Sequence, residues 1–360
     1  MHGAHSKGCG LPVLHLNDDR SRMEIEDGTG TGSMTDIFMH HDLLGATAPM
    51  LGLAPSILTI GTFDGVHRGH QLLIGNVVRR AHERGVPSVV ITFDPQPRAV
   101  LAPENAPPRL TTVTDEVALI AALGVDTIIV QPFTLTTANT SARDFMAAIV
   151  RAVRPVEIWV GDDFALGYRR EGTPETLREL GTVFDYDLHV LPRMALDDTP
   201  DGEIIGSTNI RLRLLAGEVE RAAQLLGRPF ALTGPVVHGA KNGRAIGFPT
   251  ANVAVPAGLV VPKDGIYATW VTMGDDPTPA DRRALRYPAM TYIGPRPVFD
   301  NGARSVEANL IHWDGDLYGR TITVAFAHWL RGDASFDGIP ALVTQMHQDQ
   351  IHTLEALADS

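Results

Sequence analysis

Cysteine is almost absent from this chain of 360 residues, which contains only Cys9. A single thiol permits no disulfide within the chain, so a disulfide framework is excluded and a reducing compartment is favoured. No apolar run approaches the roughly 18 residues that a membrane-spanning helix needs. The N-terminus also lacks the apolar core of a signal peptide. We therefore expect a cytoplasmic protein with no membrane partner.

Positive charge is also in deficit, because 30 Lys and Arg residues stand against 42 Asp and Glu residues, giving a formal net charge of −12. An acidic surface repels nucleic acid, so nucleic acid is not expected as a partner. Hydrophobic residues make up 44% of the chain, and at this length such a content favours two hydrophobic cores and hence two domains. We expect small-molecule ligands and a monomer or a weak homo-oligomer.

The first 50 residues show no sustained apolar periodicity and contain a run of Gly, Thr and Ser at positions 28–33. We predict a flexible leader over residues 1–50, with Met34 as an alternative start of the protein. His40 and His41 are adjacent and raise the question of a metal site. Because no partner ligands accompany them, a solvated pair of histidines is the favoured interpretation.

Strands and helices alternate between residues 51 and 226. Apolar runs typical of buried strands lie at residues 57–62, 88–93, 127–131, 157–161 and 187–191. Helical spacing lies between them, with Gly85 as a stop signal, Ser141 as an N-cap and Pro174 at a helix start. This alternation predicts an α/β domain, a doubly wound parallel sheet of Rossmann-like type. In such sheets, ligands bind beyond the carboxyl ends of the strands.

After two short helices that end at Gly217 and Gly227, the pattern changes to short alternating stretches. They lie at residues 230–237, 265–273, 287–293, 306–312 and 321–327, with Gly and Pro between them. This texture is typical of an all-β domain, an antiparallel barrel or sandwich, and a terminal helix is predicted from about residue 340 to 357. We place the domain boundary near Gly227, which gives domains over 51–226 and 227–360.

His67, Gly69 and His70 stand where the first predicted strand runs into the first helix. The two histidines are three residues apart and share a face of the first turn. The N-terminus of a helix suits a phosphate, and two imidazoles there can donate hydrogen bonds to a phosphate that gains charge in a transition state. The alternative is a partly buried pair that caps a turn. A zinc site is disfavoured, since no third ligand stands at a suitable spacing.

A second group of chemically distinctive residues lies in the β-rich half. Thr250 and Asn252 follow Pro249 and Gly247 and offer neutral oxygens that suit Mg²⁺ and phosphate. For so short a motif taken alone, an ordinary surface turn is the favoured interpretation. Glu307 points to the opposite strand face from its apolar neighbours. A carboxylate there can accept a proton from an attacking hydroxyl, the alternative being a solvent-facing glutamate.

The N-terminal half resembles the nucleotidylyltransferases, and the FAD synthetase branch in particular. The resemblance is carried by T-F-D-G-V-H-R-G-H-Q at 62–71, T-F-D-P-Q-P at 92–97, V-G-D-D-F at 160–164 and G-S-T-N-I-R at 206–211. It implies catalytic roles for His67 and His70. The resemblance also implies a site for nucleotide and phosphate, formed by Gly61, Phe63, Asp64, Gly69, Ser207, Thr208 and Arg211. It further implies a flavin site, formed by Asp94, Pro95, Gln96, Asp163 and Phe164. Gln96 and Gly206 depart from the residues usual in that branch.

The C-terminal half resembles the riboflavin kinases through G-F-P-T-A-N at 247–252, P-K-D-G-I-Y-A at 262–268 and S-V-E at 305–307. The resemblance implies that Glu307 is catalytic and that Arg331 binds flavin. It also implies that a nucleotide and its Mg²⁺ are bound by Gly247, Pro249, Thr250 and Asn252, with Thr250 and Asn252 closest to the metal. Tyr292, Val298 and Asn309 depart from the residues usual in that family.

Together the two resemblances indicate a bifunctional enzyme that uses ATP and Mg²⁺ to convert riboflavin to FMN and then FMN to FAD. The main alternative is an FMN adenylyltransferase whose barrel binds flavin without catalysis, which the departures at Tyr292 and Val298 motivate. A flavin sensor or store is a further alternative, disfavoured by the intact candidate residues. An adenylyltransferase that acts on an acceptor other than FMN is the last alternative. Only the riboflavin kinase signature of the C-terminal half argues against it.

Overall fold

The fold is described from a computed structural model that covers residues 14–16, 22–26, 34–45, 55–197, 202–239, 243, 246–274, 286–295 and 304–358. Cys9, the run at 28–33 and Val298 lie outside these residues. The chain forms two compact units. The first consists of Met1–Pro107 and Val113–Ile204, and the second of Pro108–Thr112 and Ile205–Ser360.

The first unit is built on a sheet of eight strands. The strands are β1 (Leu14–Leu16), β2 (Arg22–Glu26), β3 (Met34–Phe38), β4 (Ser56–Ile60), β5 (Ser88–Asp94), β6 (Thr127–Pro132), β7 (Pro155–Gly161) and β8 (Asp187–Leu191). Their order is β1-β2-β3-β6-β5-β4-β7-β8. The strands β3 to β8 run parallel, while β1 and β2 pair antiparallel. The order reverses at β4, which lies between β5 and β7 and forms a topological switch point.

The prediction of a flexible leader over residues 1–50 is wrong at β1 and β2, which pair within the sheet, and most clearly at β3. This strand pairs in parallel with β6, and the side chain of Ile37 is completely buried. The hydroxyl of Thr35 donates to the carbonyl of Val125 at 2.7 Å. Met34–Phe38 contains Asp36 and directly follows the run of Gly, Thr and Ser, so its own sequence does not distinguish it from the segment before it. Its pairing with β6 does.

Helices cover both faces of the sheet, as predicted. They are α1 (Arg68–Arg84), α2 (Pro97–Leu101), α3 (Val113–Ala121), α4 (Leu135–Ala138), α5 (Ala142–Val153) and α6 (Pro174–Phe184), with short 3₁₀ helices at Pro103–Asn105 and Tyr168–Arg170. Val90 of β5 packs in the same core cluster as residues of α1 and α3, whereas Ile91 packs with residues of α5 and α6. Because successive strand residues face opposite sides, the helices form two layers. This confirms the doubly wound α/β class.

The second unit contains α7 (Ser207–Ala216), α8 (Val219–Leu226) and a closed antiparallel barrel, which is followed by the terminal helix α9 (Ile339–Ala358). The barrel strands are β9 (Phe230–Val237), β10 (Ala251–Val253), β11 (Gly265–Met273), β12 (Tyr287–Pro295), β13 (Arg304–Leu310) and β14 (Thr321–Arg331). They close in the order β10-β13-β12-β11-β14-β9. The predicted barrel and terminal helix are therefore confirmed.

Two features of the second unit differ from what the sequence suggested. The helices α7 and α8 belong to the same compact unit as the barrel, although the change of pattern was predicted at Gly227. The strand β10 was not predicted, because it has only three residues and overlaps the P-T-A-N motif. In the described part of the chain, no helix is both long and apolar enough to cross a membrane.

The burial of β3 leads to a prediction about stability. Replacing Ile37 by Ala removes a completely buried side chain and should lower the free energy of unfolding by about 2–5 kcal/mol. Leu101→Ala is the matched control, because Leu101 is 59% exposed and its loss should cost less than about 0.5 kcal/mol. Urea unfolding of both variants measures the difference. Equal stability of the two variants would show that β3 contributes nothing to the core.

Candidate active sites

The predicted histidine pair lies at the start of α1, directly beyond β4. His67 is the N-cap residue, and its Nδ1 accepts a hydrogen bond from the backbone N–H of His70 at 3.3 Å. The two imidazole rings stack with their centroids 3.6 Å apart and their planes 19° apart. Phe63 meets His70 edge-on at 5.2 Å. The stacked pair therefore holds two ring systems at a helix N-terminus that has no acidic residue in its first turn, a favourable place for an anion.

The loop that leads into the pair is bent and buried. Gly65 and Val66 both have positive φ, of 80° and 39°. A branched residue rarely adopts such a conformation, and persistent backbone strain of this kind clusters at functional sites. Gln71 secures the bend by donating from Nε2 to the carbonyl of Val66 at 2.8 Å. Asp64 is 3% exposed, so the strand-to-helix turn is a firmly packed element.

Burial has a strong effect on His70. It lowers the pKa of this imidazole well below its ordinary value, and the neighbouring His67 lowers the pKa further. His70 is therefore neutral at neutral pH and offers one N–H donor and one acceptor. Its Nδ1 is buried and has no hydrogen-bond partner among the described residues. The local sequence shows two histidines in one turn, but only the packing shows that one of them stays uncharged.

The residues proposed to bind flavin follow two strands that flank β4. Asp94, Pro95 and Gln96 lie at the end of β5, while Asp163 and Phe164 follow β7. Because β5, β4 and β7 are neighbouring parallel strands, their carboxyl ends meet at one edge of the sheet, where ligands bind in this fold. The same edge holds Gly61, Phe63 and Asp64. Gln96 is the N-cap of α2, and its Nε2 is buried without a hydrogen-bond partner among the described residues.

His40 and His41 reach the same edge, which the sequence did not indicate. The Nε2 atom of His40 lies 4.0 Å from an oxygen of Asp94, and the backbone N–H of His41 donates to the carbonyl of Val130. Within the described ranges, no group of three or more His, Cys, Asp or Glu residues could hold a metal ion. The position of this pair depends on the pairing of β3 with β6, so no local pattern reveals it.

Ser207, Thr208 and Arg211 start α7 in the second unit, whereas His67 and His70 lie in the first. The N-cap of α7 is Gly206, so Ser207 and Thr208 are the first two residues of the helix. The Nε of Arg211 donates to the carbonyl of Pro108 at 2.5 Å. Their role in phosphate binding stays a prediction.

The second candidate site lies in the barrel, where β10 pairs with β13. Asn252 stands directly opposite Glu307 in this pairing, and the hydroxyl of Thr250 donates to a carboxylate oxygen of Glu307 at 3.4 Å. Pro249, Thr250 and Asn252 line a cavity of about 160 Å³ together with Asp314. The pairing thus brings the P-T-A-N motif and the distant glutamate into one site. Gly247 has φ of 90°, so the preceding turn favours a residue without a Cβ atom.

The oxygen atoms around this cavity suit a hard divalent cation that is bound mainly through a nucleotide. Thr250 and Asn252 offer neutral oxygens, and the carboxylates of Asp314 and Asp316 line the same cavity. Mg²⁺ keeps several waters and is usually held by one or two protein groups and by substrate phosphates rather than by a protein cage. Thr250 and Asn252 therefore fit the predicted role in holding Mg²⁺ with ATP.

Comparison with known proteins matches both halves of the chain. The FAD synthetase family model matches residues 52–209, and the riboflavin kinase model matches residues 226–357. A bifunctional riboflavin kinase/FMN adenylyltransferase of Pseudomonas fluorescens is 37% identical over 81% of this chain and 90% of its own length. The protein of the same description from Escherichia coli K12 is 35% identical over 83% of this chain and 92% of its own length.

The chain belongs to the bifunctional riboflavin kinase/FMN adenylyltransferase family. A solved Streptococcus pneumoniae structure, described as that of a macrolide-efflux protein, resembles this chain with a TM-score of 0.76 and 29% sequence identity. The likeness covers 88% of this chain and 98% of the Streptococcus chain. Both units of this riboflavin kinase/FMN adenylyltransferase family member thus have counterparts in proteins that span nearly the same length.

Arg331, which family resemblance assigns to flavin, is engaged in a buried ion pair. Its Nε and Nη2 donate to the two carboxylate oxygens of Asp349 in α9, at 2.9 and 2.6 Å. These hydrogen bonds raise the pKa of the guanidinium. Because Asp349 is only 1% exposed, removing Arg331 would leave a buried charge unpaired. The arginine therefore stabilises the terminal helix, and its contact with flavin stays a prediction.

Tyr292 is one of the departures from the kinase family pattern. It stands opposite Glu307 in the pairing of β12 with β13. Its hydroxyl donates to a carboxylate oxygen of Asp333 at 3.3 Å. Burial, together with the charge of Asp333, raises the pKa of Tyr292 to about 12. The hydroxyl is therefore protonated at neutral pH and donates to Asp333.

The lowered pKa of His70 leads to a testable dependence of stability on pH. The unfolded state takes up a proton on His70 near its ordinary pKa of 6.5, while the folded state does not. The free energy of unfolding should therefore fall as pH drops below about 6.5. His70→Gln should show a shallower fall, as measured by urea unfolding between pH 7.5 and 5.0. Identical pH slopes in the two proteins would mean that His70 is not held neutral.

Proposed function

We propose that this chain makes FAD from riboflavin in two steps, with riboflavin phosphorylated at the barrel site and FMN adenylylated at the sheet site. The observation that carries the proposal is that each unit holds its own reactive group. Thr250 and Asn252 stand beside Glu307 in the barrel, and the stacked His67 and His70 stand at the start of α1. Family membership assigns one of the two activities to each unit.

In the kinase step, the terminal ribityl hydroxyl of riboflavin attacks the γ-phosphorus of ATP. A bond forms between that oxygen and the phosphorus, the bond to the ADP oxygen breaks, and Glu307 accepts the hydroxyl proton. Glu307 is suited to this role because it is only partly buried and lies in hydrogen-bonding distance of Thr250. The hydroxyl of Thr250 donates to one carboxylate oxygen of Glu307 and so orients this carboxylate. FMN and ADP are the products.

In the adenylyl transfer step, a phosphate oxygen of FMN attacks the α-phosphorus of ATP, and pyrophosphate leaves. No covalent intermediate with the protein is needed. The N–H groups of His67 and His70 and of the first turn of α1 stabilise charge that develops on the α-phosphate. The neutral state of His70 leaves one ring N–H available for that purpose.

Mg²⁺ is proposed as the metal of both steps, with ATP as the co-substrate. When bound, it neutralises phosphate charge and holds the phosphates in position. In the barrel, Thr250 and Asn252 would hold it together with the nucleotide. A cytoplasmic location and a monomer or weak homo-oligomer stay predictions from composition.

The first experiment is a time course with riboflavin, ATP and MgCl₂, in which the flavins are separated by chromatography. Transient FMN followed by FAD is expected. FAD from added FMN, with no product from riboflavin, would favour the alternative of an adenylyltransferase with a non-catalytic barrel. Adenylyl transfer to an acceptor other than FMN, uncompeted by FMN, would contradict the flavin assignment.

Two substitutions should separate the activities. Glu307→Gln should lower riboflavin phosphorylation by about 10²–10⁴-fold and leave the conversion of FMN to FAD near the parent rate. His70→Ala should lower the conversion of FMN to FAD by about 10²–10³-fold and leave riboflavin phosphorylation in place. Each variant serves as the folding control for the other, because each keeps one activity. Loss of both activities in either variant would contradict the division between the units.

Removal of the metal should stop both reactions. With EDTA in excess over divalent cations, neither FMN nor FAD should form, because the phosphate charge is no longer neutralised. Added MgCl₂ should restore both products, as followed by chromatography. Undiminished turnover in EDTA would exclude the proposed role of the metal.

A further inference from the structure

Backbone pairing between β10 and β13 ends at Ala251, the residue next to Thr250. The last strand pair in the ladder of β10 with β13 is Ala251 with Ala308, so the register places Asn309 opposite Thr250. There the side chain of Asn309 takes over from the backbone, because its Nδ2 donates to the carbonyl of Pro249 at 2.8 Å. Asn309 is 3% exposed. This hydrogen bond fixes the residue that precedes Thr250.

The other end of the Asn309 amide is held by the terminal helix. Gln350 of α9 donates from Nε2 to Oδ1 of Asn309 at 2.9 Å. An asparagine amide has one donor end and one acceptor end, and both are used here. The three groups therefore form a directional chain, from Gln350 through Asn309 to Pro249.

The helix that carries Gln350 is itself firmly placed against the barrel. Asp349, the preceding residue, forms the buried ion pair with Arg331 of β14. His347 meets the ring of Phe248 edge-on at 4.9 Å. One face of α9 thus contacts Phe248 directly and Pro249 through Asn309. Thr250, which follows Pro249 in the chain, donates a hydrogen bond to Glu307.

We propose that Asn309 and Gln350 are positioning residues of the kinase site, through which the terminal helix holds the P-T-A-N loop in its active geometry. The proposal rests on the riboflavin kinase activity proposed above. Neither side chain touches the reacting atoms. They act through Pro249, whose position sets where the hydroxyl of Thr250 and the carboxylate of Glu307 meet. Misplacement of a substrate-binding loop by about 1 Å can cost on the order of 10²-fold in rate.

Gln350→Glu tests the directional chain, because a carboxylate cannot donate. A Glu oxygen would face Oδ1 of Asn309, which is also an acceptor. If the Asn309 amide flips to donate to that carboxylate, its oxygen then faces the carbonyl of Pro249. Either orientation leaves two acceptors in contact. Protonation of the new carboxyl group restores a donor, so the defect should shrink as pH falls.

Gln348→Glu is the matched control. It makes the same charge change on the same helix two residues away, and its side chain is exposed. At pH 8, Gln350→Glu should lower kcat/KM for riboflavin phosphorylation by about tenfold to a hundredfold relative to Gln348→Glu. The conversion of FMN to FAD, measured on the same preparations, should be equal in the two variants. The ratio of their kinase activities should rise toward one between pH 8 and 5.5. Equal kinase activity of the two variants at every pH overturns the proposal.

Two further measurements separate this proposal from a folding defect and from the proposed function. If Gln350→Glu loses both activities, the deciding variant is Gln350→Met, which removes the hydrogen-bond donor without adding charge. Selective loss of kinase activity in Gln350→Met supports the proposal. Unchanged kinase activity in Gln350→Met overturns it. If the parent chain does not phosphorylate riboflavin at all, the proposed function fails. Hydrogen exchange then still tests the contact, because the amides of Thr250 and Ala251 should exchange faster in Gln350→Met than in Gln348→Glu. Unchanged exchange there would overturn the proposal.

Discussion

Strand pairing is the constraint on which both sites depend, because a buried backbone N–H or C=O group left unpaired costs about 1–3 kcal/mol. Pairing rigidly fixes each strand up to its last hydrogen bond, and the functional loops begin directly beyond that point. Gly61 follows the end of β4, and Thr250 precedes the start of β10. Backbone groups beyond that point have no strand partner and can bond to side chains instead, as the carbonyl of Pro249 accepts from Asn309. Where no side chain bonds to such a backbone N–H or C=O group, the group can bind a ligand.

The position of α1 depends on a second interaction, with strand β7, which lies beside β4 in the sheet. Glu157 of β7 is completely buried and is met by Arg80 and Arg84 of α1. Burial acts to raise the pKa of this carboxyl, but hydrogen bonds from Arg80 and Trp159 and the charge of Arg84 hold it below its ordinary value. The ion pairs fasten the C-terminal half of α1 to the strand that flanks β4, so they help to aim its N-terminus, with His70, at the edge where the strands end.

An acidic chain that acts on anionic nucleotides needs local sources of positive potential. The net charge of −12 excludes general attraction of phosphates. The start of α1 supplies instead the partial positive charge of a helix N-terminus, without acidic residues in its first turn. A short-range arrangement of this kind suits phosphate groups at one place in a protein whose net charge is negative.

The sequence by itself determined the two fold classes, the alternation of strands and helices, and the identity of the chemically distinctive residues, because these follow from periodicity and from motifs such as H-x-G-H and P-T-A-N that are local in the chain. It did not determine that β3 extends the sheet, that His40 reaches Asp94, or that His70 is neutral. It also did not show that Asn309 joins α9 to Pro249, or that Arg331 is paired with Asp349. Each of these depends on residues that are far apart in the chain and come into contact only when strands pair or helices pack. Burial and hydrogen bonding arise from those tertiary contacts, so no local sequence pattern determines them.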